Sequence, residues 1–144
     1  MNEINPDWQL DSRLRSDTFV ISETNDRILL LMNDKRWPWM ILVPKVAGAE
    51  ELHDLPVEQV QNELLIATLL GETLKSFTHC EKINIAAIGN SVRQLHIHIV
   101  ARQTGDANWP APVWGYGTGE PYSTIECEAL LQKLKDQNLA QAIS

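Results

Sequence analysis

Gly89-Asn90-Ser91-Val92-Arg93-Gln94-Leu95-His96-Ile97-His98-Ile99-Val100-Ala101-Arg102 is the stretch around which the rest of the chain can be ordered. From Val92 onward polar and apolar residues largely alternate, which predicts a strand over 92–101. Residues two apart in a strand point to the same side. Gln94, His96, His98, Val100 and Arg102 therefore share one face. Arg93, Leu95, Ile97 and Ile99 share the other, which must be mostly core. The two imidazoles stand on Cα atoms about 6.5–7 Å apart, twice the strand rise. That spacing lets one ring reach a phosphorus atom while the other reaches one of its oxygens or a leaving group. Gly89 permits a tight bend just before the strand. The amides around Asn90, Ser91 and Val92 can then face an anion as a small nest.

Outward from this segment the chain reads as alternating strands and helices. Residues 82–88 form the strand before the Gly89-Asn90 turn. Residues 18–21 and 27–33 make a hairpin across the polar turn 23–26, and 37–43 is a third strand closed by Pro44. Pro38 belongs at its start, where no ladder donor is needed. The long helix runs over 56–78, with Val57, Val60, Leu64, Ala67, Gly71 and Leu74 at three- and four-residue steps. Leu65, Ile66, Leu69 and Leu70 widen that stripe beyond one face, so the helix needs more than one partner: the sheet, and either a second subunit or more of the same chain. Asn5-Pro6-Asp7 opens a short helix to about residue 15. Ser123-Thr124-Ile125-Glu126 is a capping box that starts a helix to about residue 138, with Ile125, Ala129, Leu130 and Leu134 on one side. Together these elements predict an α+β domain: about five antiparallel strands, one long amphipathic helix and terminal helices.

A chain of 144 residues with 44% apolar and 22% charged residues suits a single domain spanning 1–144. The net charge of −7 argues against a nucleic-acid partner, which would leave a basic footprint, so any phosphate site must be built locally. The first ten residues have no basic region followed by an apolar run, so no export signal is expected. The aliphatic run 28–32 is far too short to span a bilayer. Cys80 and Cys127 form no C-x-x-C pair and read as two reduced thiols. The expected location is the cytoplasm.

Three readings of His96 and His98 compete. Both rings can be polar decoration of a solvated strand face. They can chelate a metal, but 82–105 offers neither carboxylate nor cysteine as the third ligand a catalytic zinc needs. Or they can act as nucleophile and acid or base at phosphorus, which the Gly89–Ser91 turn favours. His53 reads as solvated, and His79 as a cation at a helix end. Trp37 and Trp39 read first as packing residues. Arg102 reads as surface charge, or as positive potential for a polyphosphate. Trp109 and Trp114 lie in a Pro/Gly loop that either lids a pocket or seals a dimer.

The run G-N-x-V-x-Q-L-H-I-H-I-V-A-R resembles the signature of the histidine triad (HIT) superfamily of nucleotide hydrolases and transferases. That signature is H-φ-H-φ-H-φ-φ, usually followed by Pro-Arg and preceded by a Gly-rich or G-N turn. The likeness extends to Asn33, to W-M-I-L-V-P-K at 39–45 and to the long helix, covering roughly 18–102. W-P-A-P-V-W-G at 109–115, within the C-terminal stretch 103–144, is similar to a bacterial branch. Gln94 replaces the first histidine and Ala101 the usual Pro. The resemblance implies that His96 is the nucleophile, assisted by His98 and Gln94. It implies hydrolysis of a nucleotide phosphoanhydride or phosphoramidate, such as diadenosine tetraphosphate, through a covalent nucleotidyl-His96, without metal or cofactor. Asn33 would bind ribose, Asn84 and Asn90 the sugar-phosphate, and Gly89, Ser91 and Val92 would complete the nucleotide site. The base would lie against Phe19 and Leu31. A homodimer is expected, and Trp39 falls near the site. The alternative is a nucleotide-binding module whose catalysis is impaired by Gln94.

Overall fold

The computed structural model describes residues 7–144. Its central feature is a five-stranded antiparallel sheet of β1 (Thr18–Glu23), β2 (Arg27–Met32), β3 (Trp39–Pro44), β4 (Lys82–Ala86) and β5 (Ile97–Arg102). The spatial order is β1-β2-β3-β5-β4. The central strands β2, β3 and β5 are almost wholly buried. Their continuous apolar runs fit coverage on both faces. The fold is thus the expected α+β arrangement.

Alternate residues of the same strands feed two cores. On one face Leu29, Leu31, Met40, Leu42, Ile97 and Ile99 pack against Ile66, Ala67, Leu70 and Leu74 of the helix α2 (Val57–Thr78). Gly71 sits where α2 comes closest to the sheet. A Cβ there would lie 3.2 Å from the Ile83 side chain. α2 ends at His79, whose backbone is left-handed (φ 57°) and whose N–H donates to Lys75 O, a C-terminal closure of the kind that stops helices.

Glu63 lies on the buried stripe of α2, fully enclosed. The Arg27 guanidinium holds it, with Nε 2.9 Å from Oε2 and Nη2 2.9 Å from Oε1. Arg27 Nη1 also donates to Ile143 O at 3.3 Å, so one ion pair joins β2, α2 and the C-terminus. Val57 and Leu64, expected on the core stripe, are instead exposed with Leu65 and Leu69. The helix is turned so that Glu63 faces Arg27 while Val57 and Leu64 face outward.

The ends of the chain differ from expectation. Asn5 and Pro6 lie outside the described residues, and the first helix, α1 (Ser12–Asp17), begins later than predicted. Asp11 is its cap, accepting from the amides of Arg13 and Leu14, and supplies the start signal. The Ser123–Glu126 capping box is present and opens α3 (Thr124–Lys135). This helix ends at Lys135, short of residue 138, and left-handed Asn138 (φ 57°) precedes α4 (Leu139–Ala142). Ile125 and Ala129 face solvent, and the buried side is Cys127 and Leu134. Among the described residues no helix is long and apolar enough to cross a membrane.

Candidate active site

The second face of the sheet carries Ile28, Leu30, Trp39, Ile41, Val43 and Val100, covered by Leu10, Leu14, Trp37 and Val113. Here the cover is an N-terminal segment and a long loop rather than a long helix. A cleft of about 480 Å³ opens within it. Its floor is His96, His98, Trp39 and Ile41, and one wall is the turn Gly89-Asn90-Ser91-Val92. Leu14 and Asp17 of α1 form a second wall, and Trp114 and Gly115 a third. The two imidazoles therefore share one cleft with the turn, with ring centroids 4.8 Å apart.

The predicted strand over 92–101 is shorter than expected, because its first residues bond elsewhere. The Leu95 N–H donates to Ala49 O at 2.9 Å, and Leu95 is buried beside Ala49 and Leu55. β5 starts only at Ile97, so His96 stands immediately before the ladder. Gly89 carries the positive φ (74°) that the turn requires.

Each ring has one nitrogen fixed by a neighbour of unambiguous chemistry. His96 Nδ1 lies 2.6 Å from the backbone carbonyl of Gln94. A carbonyl only accepts, so Nδ1 carries the proton and neutral His96 leaves its Nε2 lone pair free. His98 Nδ1 lies 2.9 Å from Trp39 Nε1. An indole nitrogen only donates, so the proton of neutral His98 is on Nε2. Burial, with the nearby His96 ring adding to it, pushes the pKa of His98 down to about 3. His98 is therefore uncharged at neutral pH.

The Gln94 side chain does not enter the cleft. Its Oε1 accepts from the Asp11 N–H and its Nε2 donates to Gln9 O, both at 2.9 Å. An amide carries an acceptor oxygen and a donor nitrogen side by side, and so meets a main-chain donor and a main-chain acceptor together. Gln94 thus straps down the segment that leads into α1. Only its carbonyl touches the histidines.

The other expected residues divide. Gly89, Asn90, Ser91 and Val92 line the cleft. Asn33 lines an adjoining cleft of about 380 Å³ with Asp34, Arg36 and Tyr116. Asp17, Met32, Trp39 and Gly115 border both clefts. Asn33 Oδ1 already accepts from the Tyr122 N–H at 2.9 Å. Asn84 is outside the cleft, with its Oδ1 3.4 Å from Arg102 Nη1. Phe19 and Leu31 pack into the helix-side core, because strand parity points them away from the histidines. Leu14, Met32 and Ile41 are among the apolar groups that line the cleft in their stead.

Arg102 is not surface charge. It is 1% exposed, forms a two-pronged ion pair with Asp106 and donates to Ala111 O at 2.9 Å. Its charge is spent on holding the loop. Of the wall residues, Leu14 and Asp17 carry no sequence signal for the site, whereas Trp114 lines the cleft as the pocket-lid reading of its loop expects. Trp114 stacks edge-on to His98 at 5.3 Å. Trp39, placed near the site by resemblance alone, touches His98 directly. The parity of β3 is its signal, since Ile41 pairs with His98 and Trp39 with Val100. Among the described residues no three His, Cys, Asp or Glu side chains group as metal ligands.

The comparisons agree with this geometry. The HIT domain family model matches residues 13–105. A histidine triad protein from Marinobacter aquaeolei VT8 is 41% identical, with TM-score 0.89, covering 95% of this chain and 98% of that one. A histidine triad protein from Sinorhizobium meliloti 1021 is also 41% identical, with TM-score 0.87 and coverage of 91% and 97%. One from Bradyrhizobium japonicum is 39% identical, with TM-score 0.86 and coverage of 92% and 98%. No curated protein sequence matches. With the family model spanning well over half its length and the histidine cleft in place, this chain belongs to the HIT domain family.

Proposed function

We propose that the protein is a hydrolase or nucleotidyl transferase acting on nucleotide phosphoanhydrides or phosphoramidates, with His96 as nucleophile. The observation that carries this reading is the His96 Nδ1 contact with the Gln94 carbonyl, which directs the free Nε2 lone pair to the cleft. Nε2 attacks the α-phosphorus and the bond to the leaving group breaks. Water then cleaves the nucleotidyl-histidine and returns the electron pair to Nε2. Ser91, the amides of 90–92 and His98 Nε2–H supply donors for the oxygens that gain charge. Asn33 and the adjoining cleft take the ribose, and Leu14, Met32 and Ile41 the base. No metal or cofactor is required.

Gln94 motivates a second reading, a nucleotide-binding module with impaired catalysis. Its side-chain position speaks against that reading. The group that sets the His96 tautomer is a main-chain carbonyl, which any residue at 94 provides. Wild-type protein and a panel of dinucleoside polyphosphates and nucleoside phosphoramidates separate the two. Turnover to the nucleoside monophosphate supports the enzyme. Thermal stabilisation by mononucleotides with no turnover supports the module.

We also propose a homodimer. Leu64, Leu65 and Leu69 expose an apolar face of α2 beside the edge strand β4, where Ile85 is 44% exposed. A second copy covers both. Sedimentation of wild-type protein should give a dimer and Leu65→Glu a monomer. A monomeric wild type would refute it. The acidic composition and the two free, buried cysteines support a cytoplasmic location.

A further inference from the structure

We infer that Trp39 is a positioning residue that holds His98 as a neutral Nε2–H donor, restricting the site to leaving groups that depart without a proton. This deepens the proposed nucleotidyl transfer and rests on it. The indole Nε1–H donates to His98 Nδ1 across 2.9 Å, and both side chains are buried. An indole has no lone pair to offer in return. A protonated His98 would turn an N–H toward another N–H, losing the hydrogen bond and leaving two buried donors facing each other. Among the described residues the other ring neighbours of His98 are His96 at 4.8 Å and uncharged Trp114 at 5.3 Å, and neither offsets such a charge. Asp17 lines the same cleft, on the α1 wall.

The consequence is chemical. A neutral Nε2–H can hydrogen-bond a leaving oxygen, but giving up its proton would make an imidazolate. When His96 Nε2 attacks a phosphoanhydride, the P–O bond breaks and its electron pair leaves on a phosphate oxygen, which is stable as an anion. No proton is needed, and His98 only has to donate a hydrogen bond. When it attacks a phosphoramidate, the P–N electron pair leaves on an amine nitrogen, which must gain a proton as the bond breaks. His98 cannot supply that proton. A positioned general acid typically contributes about 10²–10⁴-fold, and His98 does not make that contribution to the phosphoramidate reaction.

The test compares a dinucleoside polyphosphate with a phosphoramidate of the same nucleoside monophosphate. Wild-type kcat/KM should favour the anhydride by at least about 100-fold. Trp39→His, whose imidazole can accept as well as donate, should narrow that gap at least about tenfold, with phosphoramidate turnover rising toward acid pH. Trp39→Phe removes the donor and should not produce the acid rise. Independently of activity, long-range ¹H–¹⁵N spectra of the labelled wild type should show His98 in the Nε2–H form, unchanged from pH 8 to 5. Comparable turnover of the two substrates, or a His98 that carries its proton on Nδ1 or titrates between pH 5 and 8, would overturn the inference and leave nucleotidyl transfer standing. No turnover of either substrate, with His98 locked as described, would refute nucleotidyl transfer itself and the leaving-group claim with it.

Discussion

The two faces of the sheet are built from alternate residues of the same strands, yet they are held by different forces. On the helix side Leu31, Met40, Leu42, Ile97 and Ile99 meet Leu70 and Leu74, an apolar contact interrupted only by the Arg27–Glu63 pair at its end. On the other side indoles, imidazoles and the buried Arg102 guanidinium are joined by hydrogen bonds, many of them to main chain. Examples are Trp37 Nε1 to Ala107 O at 3.0 Å and Arg102 to the loop that it closes. Apolar burial is non-directional and tolerates repacking. A hydrogen-bonded cleft fixes which nitrogen of which ring is free. One face therefore carries stability and the other carries chemistry, and substitutions should separate the two.

The largest separation is expected from His96→Ala against Leu70→Ala. His96→Ala should lower turnover by at least about 1,000-fold with little change in Tm. Leu70→Ala should cost about 2–5 kcal/mol of stability with kcat of the folded fraction unchanged. Loss of both properties in either variant would break the division between faces. Next is Glu63→Leu, which leaves a buried guanidinium without its partner and should cost about 3–5 kcal/mol in urea unfolding. A near-neutral result would mean that water or the chain end compensates Arg27.

The third effect is pH-dependent. His98 binds fewer protons folded than unfolded between its native pKa of about 3 and the ordinary 6.5. Its contribution to stability is therefore full above about pH 6.5 and is lost progressively as the pH falls toward 3. Between pH 7 and 4 the wild type should lose about 3 kcal/mol more than His98→Asn. The carboxyl groups of Asp34 and Asp106 are also held below the ordinary value, despite the opposing effect of burial, by hydrogen bonds from Arg36 and Arg102. They lose stability only at lower pH, and do so equally in both proteins. Equal pH slopes would show that His98 is not buried neutral.

The smallest effect sharpens the role of Gln94. Gln94→Leu removes two hydrogen bonds to the N-terminal segment and should cost about 1–3 kcal/mol. Its kinetic signature is a raised KM, because Leu14 and Asp17 form a cleft wall. Gln94→His should bring no gain in kcat. A large gain would show that catalysis is limited by the missing ring.

Much of this molecule was legible in the sequence. Apolar, β-branched runs bounded by turns placed the strands, and the three- and four-residue steps placed α2 and the part of its core face that holds Ala67, Gly71 and Leu74. The H-x-H spacing after Gly89 brought the two rings and the turn to one site. What escaped depends on long-range partners. Leu95 donates to Ala49 and so delays β5, and the Arg27–Glu63 pair joins two residues far apart in the chain. Gln94 aligns with a catalytic histidine but spends its amide on Gln9 and Asp11. Phe19 and Leu31 required the parity of β1 and β2 to be known. Trp114 reaches His98 from a loop that Arg102 holds through Asp106 and the Ala111 carbonyl.

The central claim, that His96 Nε2 is the nucleophile, is tested most directly by rapid quenching of wild-type protein with a dinucleoside polyphosphate, then intact-mass and peptide mapping. The account predicts one nucleotidyl group on His96, formed and lost at rates that match turnover, and absent from His96→Ala. Turnover that continues in His96→Ala, or an adduct mapped to another residue, would contradict it.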